Sequence, residues 1–181
     1  MKIKKEKGYT LIELLTVISI LIILFSIIGG ILHSSLRGSS KAKITTAVAQ
    51  NGNYALSIIS NIIISSKAVT KVGGVDVADC TASPSGQTIT LSRADGGVSV
   101  LSCTNDTISS NSASLIDTTS VRVDSTSISN CYFYCNQIAG DPYAVPIVGF
   151  GFTLQEKSAT LFENKSASKF ESSASLRNYS P

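Results

Sequence analysis

Few side chains in this sequence are placed to do chemistry, and the first is a carboxylate inside an apolar run. Glu13 stands near the start of KGYTLIELLTVISILIILFSIIGGIL, residues 7–32. From Leu14 to Leu32 no residue carries a formal charge, and 14 of those 19 are Leu, Ile, Val or Phe. On the insertion scale 14 such residues contribute about −4 to −8 kcal/mol, against about 2.5–3.5 kcal/mol for an acidic group at mid-depth and less near the interface. The segment therefore keeps its preference for a bilayer with Glu13 in it. A charge held there needs an opposite partner, unless it merely snorkels to the interface.

The other reactive groups are Cys80, Cys103, Cys131 and Cys135, a single histidine (His33), and Asp95, Asp117 and Asp124. The histidine is remote in sequence from every cysteine, and there is no G-x-S-x-G, P-loop, G-x-G-x-x-G or H-E-x-x-H pattern. The aspartates stand in turn-rich surroundings, where a short carboxylate serves backbone capping. No stretch supplies the alternating oxygen ligands of a calcium loop. The expectation is no enzyme, no cofactor and no metal. Four cysteines in an oxidising compartment favour disulfides, with three connectivities open. Pairing Cys80 with Cys103 ties a predicted hairpin and leaves Cys131 with Cys135, the favoured arrangement. That second bridge needs a turn, because in a strand the two Cα atoms lie about 13 Å apart, beyond the bridging limit of about 7 Å. Free buried thiols are the alternative.

Charge sets orientation. Of the 15 Lys and Arg and 12 Asp and Glu, four lysines and one glutamate lie in the first eight residues and supply the whole net charge of +3, leaving 11 of each sign from residue 9 onward. A neutral body has no electrostatic footprint for nucleic acid. A basic cluster ahead of a single span stays cytoplasmic and sends the remainder outward. The apolar run exceeds the core of a secretory signal peptide, and the nearest small-x-small match, at residues 47–49, lies well past Leu32.

Helical patterning continues beyond the apolar run. Ile44, Val48, Ala55, Ile59 and Ile62 fall on one side of a 3.6-residue wheel, and Lys43, Thr46, Gln50, Asn53, Ser57 and Asn61 on the other. A continuous helix from Tyr9 to Ser66 spans roughly 87 Å, of which about 20 residues cross a bilayer. Gly29–Gly30 and Gly38–Ser39–Ser40 are its candidate bending points, with close glycine-mediated helix packing the alternative. From Lys67 onward the composition turns to Ser, Thr, Gly, Asn and Val. The stretch that alternates Ile89 and Leu91, turns through Asp95–Gly97 and then alternates Val98 and Val100 predicts a β-hairpin. Further strands are expected through Val121–Val123 and Ile147–Leu154, four to six antiparallel strands in all. The segment CYFYCNQIAGDPY, with Tyr132, Phe133, Tyr134 and Tyr143, reads as an insertion, either an exposed aromatic contact loop or core packing.

The nonapeptide KGYTLIELL resembles the prepilin signal of type IV pilins and type II secretion pseudopilins. Both have a short basic leader, a Gly before the cut, an aromatic after it and a Glu shortly beyond. Tyr9 stands where Phe is usual. The resemblance implies cleavage between Gly8 and Tyr9 by a prepilin peptidase, N-methylation of Tyr9, and a role for Glu13 in facing the amino terminus of a neighbouring subunit. The ending SLRN, Ser175 to Asn178, is similar to the close of minor pilins and pseudopilins. The implied fold is α+β, a long amino-terminal helix packed on an antiparallel sheet. It divides into a leader (1–8), a membrane and assembly helix (9–36), an amphipathic helix (37–66) and an outer β-rich domain (67–181). The implied function is that of a minor pilin or pseudopilin of a type IV pilus, competence pilus or secretion pseudopilus. Its partners would be other pilin-like subunits, prepilin peptidase and membrane lipid. It would start as a single-pass inner or cytoplasmic membrane protein and end in an extracellular or periplasmic filament. The competing reading is a membrane-anchored extracellular binding protein that does not polymerise.

Overall fold

The computed structural model describes residues 10–124, 128–141, 143–157 and 167–179. The leader and the Gly8–Tyr9 bond lie outside them. The chain divides into two compact units, Met1–Ala42 and Lys43–Pro181. One helix, α1 (Leu11–Ser65), contributes to both and runs unbroken through Gly29–Gly30 and Gly38–Ser40.

In the second unit α1 buries Val48, Gly52, Ala55, Ile59 and Ile63. Their spacing of three and four residues places them on one stripe. The expected stripe is right in its middle; Ile62 is only half-buried and Ile63 takes the core position. The buried glycine has a packing reason. A Cβ on Gly52 would coincide with the ring of Phe170, which lies against the helix and stacks on Phe152 with centroids 5.5 Å apart.

Eleven strands are described, more than the four to six expected, because several are two-residue pairings with no periodicity to read. The first sheet runs in the order β2 (Val75–Asp76), β1 (Ser66–Val72), β4 (Thr88–Arg93), β5 (Val98–Thr104), β6 (Thr107–Ser110), β7 (Ala113–Ser114). The second is β11 (Ala167–Ser175), β10 (Ile147–Glu156), β9 (Cys131–Asn136), β3 (Ser85–Gly86), with β8 (Val121–Val123) also on β10. All described pairings are antiparallel. The β4–β5 hairpin forms as expected, with Ile89 and Leu91 buried. In its second strand Ser99, Leu101 and Cys103 point inward, while Val98 and Val100 are exposed. Leu101 and Cys103 fix that phase, since one face of a strand must take them together.

The segment read as an aromatic insertion is strand β9, inside the second sheet. Phe133 is fully buried and stacks on Phe150, while Tyr132 and Tyr134 are half-buried on the opposite face. This extended geometry also overturns the favoured cysteine pairing. Cys131 and Cys135 both face the core from the two ends of β9, too far apart to meet. Instead Cys80 bonds Cys135 and Cys103 bonds Cys131, with Cα separations of 5.3 and 6.0 Å. The second bridge joins β5 of one sheet to β9 of the other. In the chain-entropy account, closing loops of this size is worth about 3.5–4 kcal/mol each.

The carboxy terminus seals the end of α1. Leu176 is buried, the backbone N–H of Arg177 donates to the Ile64 carbonyl (3.1 Å), and Asn178 Nδ2 donates to the Ser65 carbonyl (3.4 Å). Two of the carbonyls that a helix end leaves without partners are thereby satisfied.

The nested pairing makes a mapping prediction. Trypsin cuts after Arg93 and Arg122, separating Cys80, Cys103 and the Cys131/Cys135 segment. Without reductant, mass spectrometry should find all three peptides covalently joined, and chymotryptic cleavage within Tyr132–Tyr134 should resolve them into 80–135 and 103–131. A released peptide carrying both Cys131 and Cys135 would contradict the fold. Gly52→Val should lower stability by about 1–3 kcal/mol through overpacking against Phe170, read from thermal melts.

Candidate assembly site at the head of the helix

The site starts from Thr10-Leu11-Ile12-Glu13. Threonine favours the N-cap because its side-chain oxygen accepts a backbone N–H that the first turn cannot pair, and a glutamate three residues on returns the favour. Both halves of that capping box are present. The Thr10 amide donates to Glu13 Oε2 at 2.9 Å, and the Thr10 hydroxyl donates to the same oxygen at 2.9 Å. The Glu13 amide in turn reaches Thr10 Oγ1 at 3.4 Å and the Thr10 carbonyl at 3.1 Å. A negative charge in the first turn also meets the positive end of the helix dipole. Thr10 is the partner of Glu13 that sequence reasoning passed over, although the T-x-x-E spacing is legible.

Beyond this head every face of the helix is apolar. The large aliphatic and aromatic residues from Leu11 to Leu36 are 45–78% exposed. A stretch of α1 has a mean hydropathy of 2.9 and no buried residue, long and apolar enough to cross a membrane. Its hydroxyls are already satisfied: Thr16 donates to the Glu13 carbonyl, Ser19 to Leu15 and Ser26 to Ile22. Such internal bonds remove most of the penalty for a hydroxyl in hydrocarbon.

Residues 3–29 match the family model described as the prokaryotic N-terminal methylation motif. The chain carries a type IV pilin-like prepilin signal. The match covers the basic leader, Gly8, Tyr9, Thr10, Glu13 and most of the apolar run, and stops before the amphipathic part of α1. No curated protein and no solved structure matches the chain. The pilin-like arrangement of the rest, a long helix packed on antiparallel sheets, comes from the fold itself.

The other sequence candidates do not gather at a site. Asp95 Oδ1 accepts the Gly97 amide, and its carboxylate pairs with Arg93 at 3.0 Å. Asp124 Oδ2 accepts from Asn130 at 3.0 Å. Asp117 accepts from the Thr119 hydroxyl and amide and from the Ser120 hydroxyl. Its own amide donates to Asn51 Oδ1 on α1, which ties this turn to the helix. Among the described residues no group of three His, Cys, Asp or Glu side chains converges as for a metal.

The capping box predicts that Thr10→Val, which keeps the branched shape but loses the hydroxyl, loosens the first turn by about 1 kcal/mol. In micelles the Glu13 and Leu14 amides should then exchange with deuterium about fivefold faster. Asp117 yields a pH prediction. Hydrogen bonds from Thr119, then from Ser120, hold its carboxyl below the ordinary value of 3.8. A depressed pKa means that the ionised form stabilises the fold above 3.8 and that this contribution fades as pH falls through the lower native value. The melting-temperature gap between the parent and Asp117→Asn should therefore be largest near neutral pH and close in strong acid.

Proposed function

We propose that this protein is a structural subunit, a minor pilin or minor pseudopilin, that enters a filament through its amino-terminal helix. The observation that carries the reading is the methylation motif at the head of a helix whose apolar side chains are left exposed by the described residues of their own chain. Prepilin peptidase cuts between Gly8 and Tyr9 and leaves a methylated Tyr9 amine. In the bilayer the lysines hold the leader on the cytoplasmic side. The disulfides support an oxidising, extracytoplasmic setting for the globular unit. Assembly moves the apolar surface from lipid to the equivalent surfaces of neighbours.

Glu13 sets the register of that transfer. Its carboxylate pairs with the Tyr9 amine of an adjacent subunit, so a helix that slides by a turn leaves both charges unpaired in a low-dielectric setting. The role is structural rather than catalytic.

Mass spectrometry of mature protein should show an amino terminus at N-methylated Tyr9. An intact Met1 in functional protein would instead favour the membrane-anchored binding protein. Glu13→Ala should cut incorporation into sheared filaments about tenfold or more, since losing one partner of a buried pair costs about 3–5 kcal/mol. Its amount and thermal stability in membranes should stay near those of the parent. Equal incorporation of the variant would refute the pairing.

A further inference from the structure

The outer face of the second sheet carries a feature that the assembly reading does not use. In the β9–β10 register Tyr134 stands opposite Gly149 and Tyr132 opposite Gly151. A Cβ at either glycine would collide with the facing tyrosine. The rings therefore lie down across the β10 backbone. Their centroids are 6.2 Å apart and their planes within 25° of each other. The inner face of each ring rests on backbone, and the side chains remain partly exposed. The result is a nearly level shelf of two rings.

The rim of the shelf is polar. Tyr132 Oη donates to Glu171 Oε1 at 2.5 Å, and Lys169 Nζ reaches the same oxygen at 2.6 Å. Both contacts use Oε1, so among the described residues Oε2 keeps its capacity to accept from a ligand hydroxyl. Ser173, opposite Gly149, is exposed beside it. Tyr132, Tyr134, Glu171 and Ser173 border a shallow cavity of about 280 Å³. The hydrogen bond to Glu171 and burial raise the Tyr132 phenol to about 12, so it stays a donor.

We propose that this shelf binds carbohydrate, taking a neutral, extended β-1,4-linked hexose chain with consecutive sugar rings on Tyr132 and Tyr134. Covering a glycine needs only an apolar side chain, whereas two level rings with an ordered carboxylate at the rim match the two surfaces of a sugar. Its axial C–H groups pack on the electron-rich ring faces, and its equatorial hydroxyls meet Glu171 and Ser173. Lys169 offsets the Glu171 charge, which selects against a charged polymer. The shelf does not depend on filament assembly.

The test uses the full chain in lauryldimethylamine oxide micelles, whose headgroup is not a sugar. Chitohexaose and cellohexaose are titrated by calorimetry and saturation-transfer NMR, with maltohexaose as the helical comparison. At least one β-1,4 hexaose should bind, with saturation concentrated on its axial protons, and maltohexaose should bind about tenfold more weakly or not at all. Tyr134→Leu, which still covers Gly149, should weaken binding about tenfold, while Tyr132→Phe should keep the stacking signature. Glu171→Gln, at an exposed position, should weaken binding about threefold and decides the matter if Tyr134→Leu melts early. The proposal is overturned if neither β-1,4 hexaose binds at millimolar concentration. It is equally overturned if maltohexaose binds as well, or if folded Tyr134→Leu or Glu171→Gln binds as tightly as the parent.

Discussion

A helix whose every face is Leu, Ile, Val or Phe has no stable place in water, and much of the molecule follows from that constraint. An amphipathic helix hides one stripe against its own domain, as Val48, Gly52, Ala55, Ile59 and Ile63 do. Leu11 to Leu36 cannot, because there is no polar side to turn outward. Such a surface must be covered by lipid or by other copies of itself. Hydroxyls that bond to their own helix carbonyls, as at Thr16, Ser19 and Ser26, are compatible with either cover.

The globular unit solves a different problem, which is to hold two sheets and a helix end together with a modest core. β9 does much of this. Phe133 fills the centre, and a disulfide leaves each end of the strand, one to β5 of the opposite sheet and one to the loop bearing Cys80. Gln137, just past the strand, accepts from the Cys80 amide and donates to the Ala144 carbonyl and to Tyr179. The carboxy-terminal segment closes the other side by burying Leu176 and capping α1. Arg177 and Asn178 of the SLRN stretch thus cap the helix.

What the sequence disclosed and what it withheld divide along physical lines. Periodicity over many residues was readable, so the helix, the β4–β5 hairpin and the strands at Val121–Val123 and Ile147–Glu156 are where the pattern puts them. Two-residue strands such as β2, β3 and β7 have no period and exist only through their partners. The phase of β5 was not readable, because Val98 and Val100 alternate as well as Ser99, Leu101 and Cys103 do, and hydrophobicity alone did not choose between two phases of one strand. The cysteine pairing failed on CYFYC, where spacing suggested a local loop and β-propensity required a strand. Of the helix head, Glu13 was legible as a misplaced charge, whereas its dependence on Thr10 emerged only from the bonds between them. The tyrosine shelf needed the register of β9 against β10, which no local pattern encodes.

The capping box changes what assembly has to accomplish. A carboxylate with no hydrogen bonds would make the unassembled helix head expensive in the membrane and leave Glu13 free to seek any cation. Here its Oε2 already accepts from the Thr10 amide and hydroxyl, so the free subunit is provided for. In the proposed pairing, a neighbour's amine would add a third donor or replace one of these two. The benefit is geometric. Two bonds from Thr10 hold the carboxylate at the residue just before the helix begins, so the amine of the proposed pair would have to arrive at a defined height. In the proposed filament a pair held in this way would choose the axial step between subunits, while the apolar faces around it would bury most of the surface.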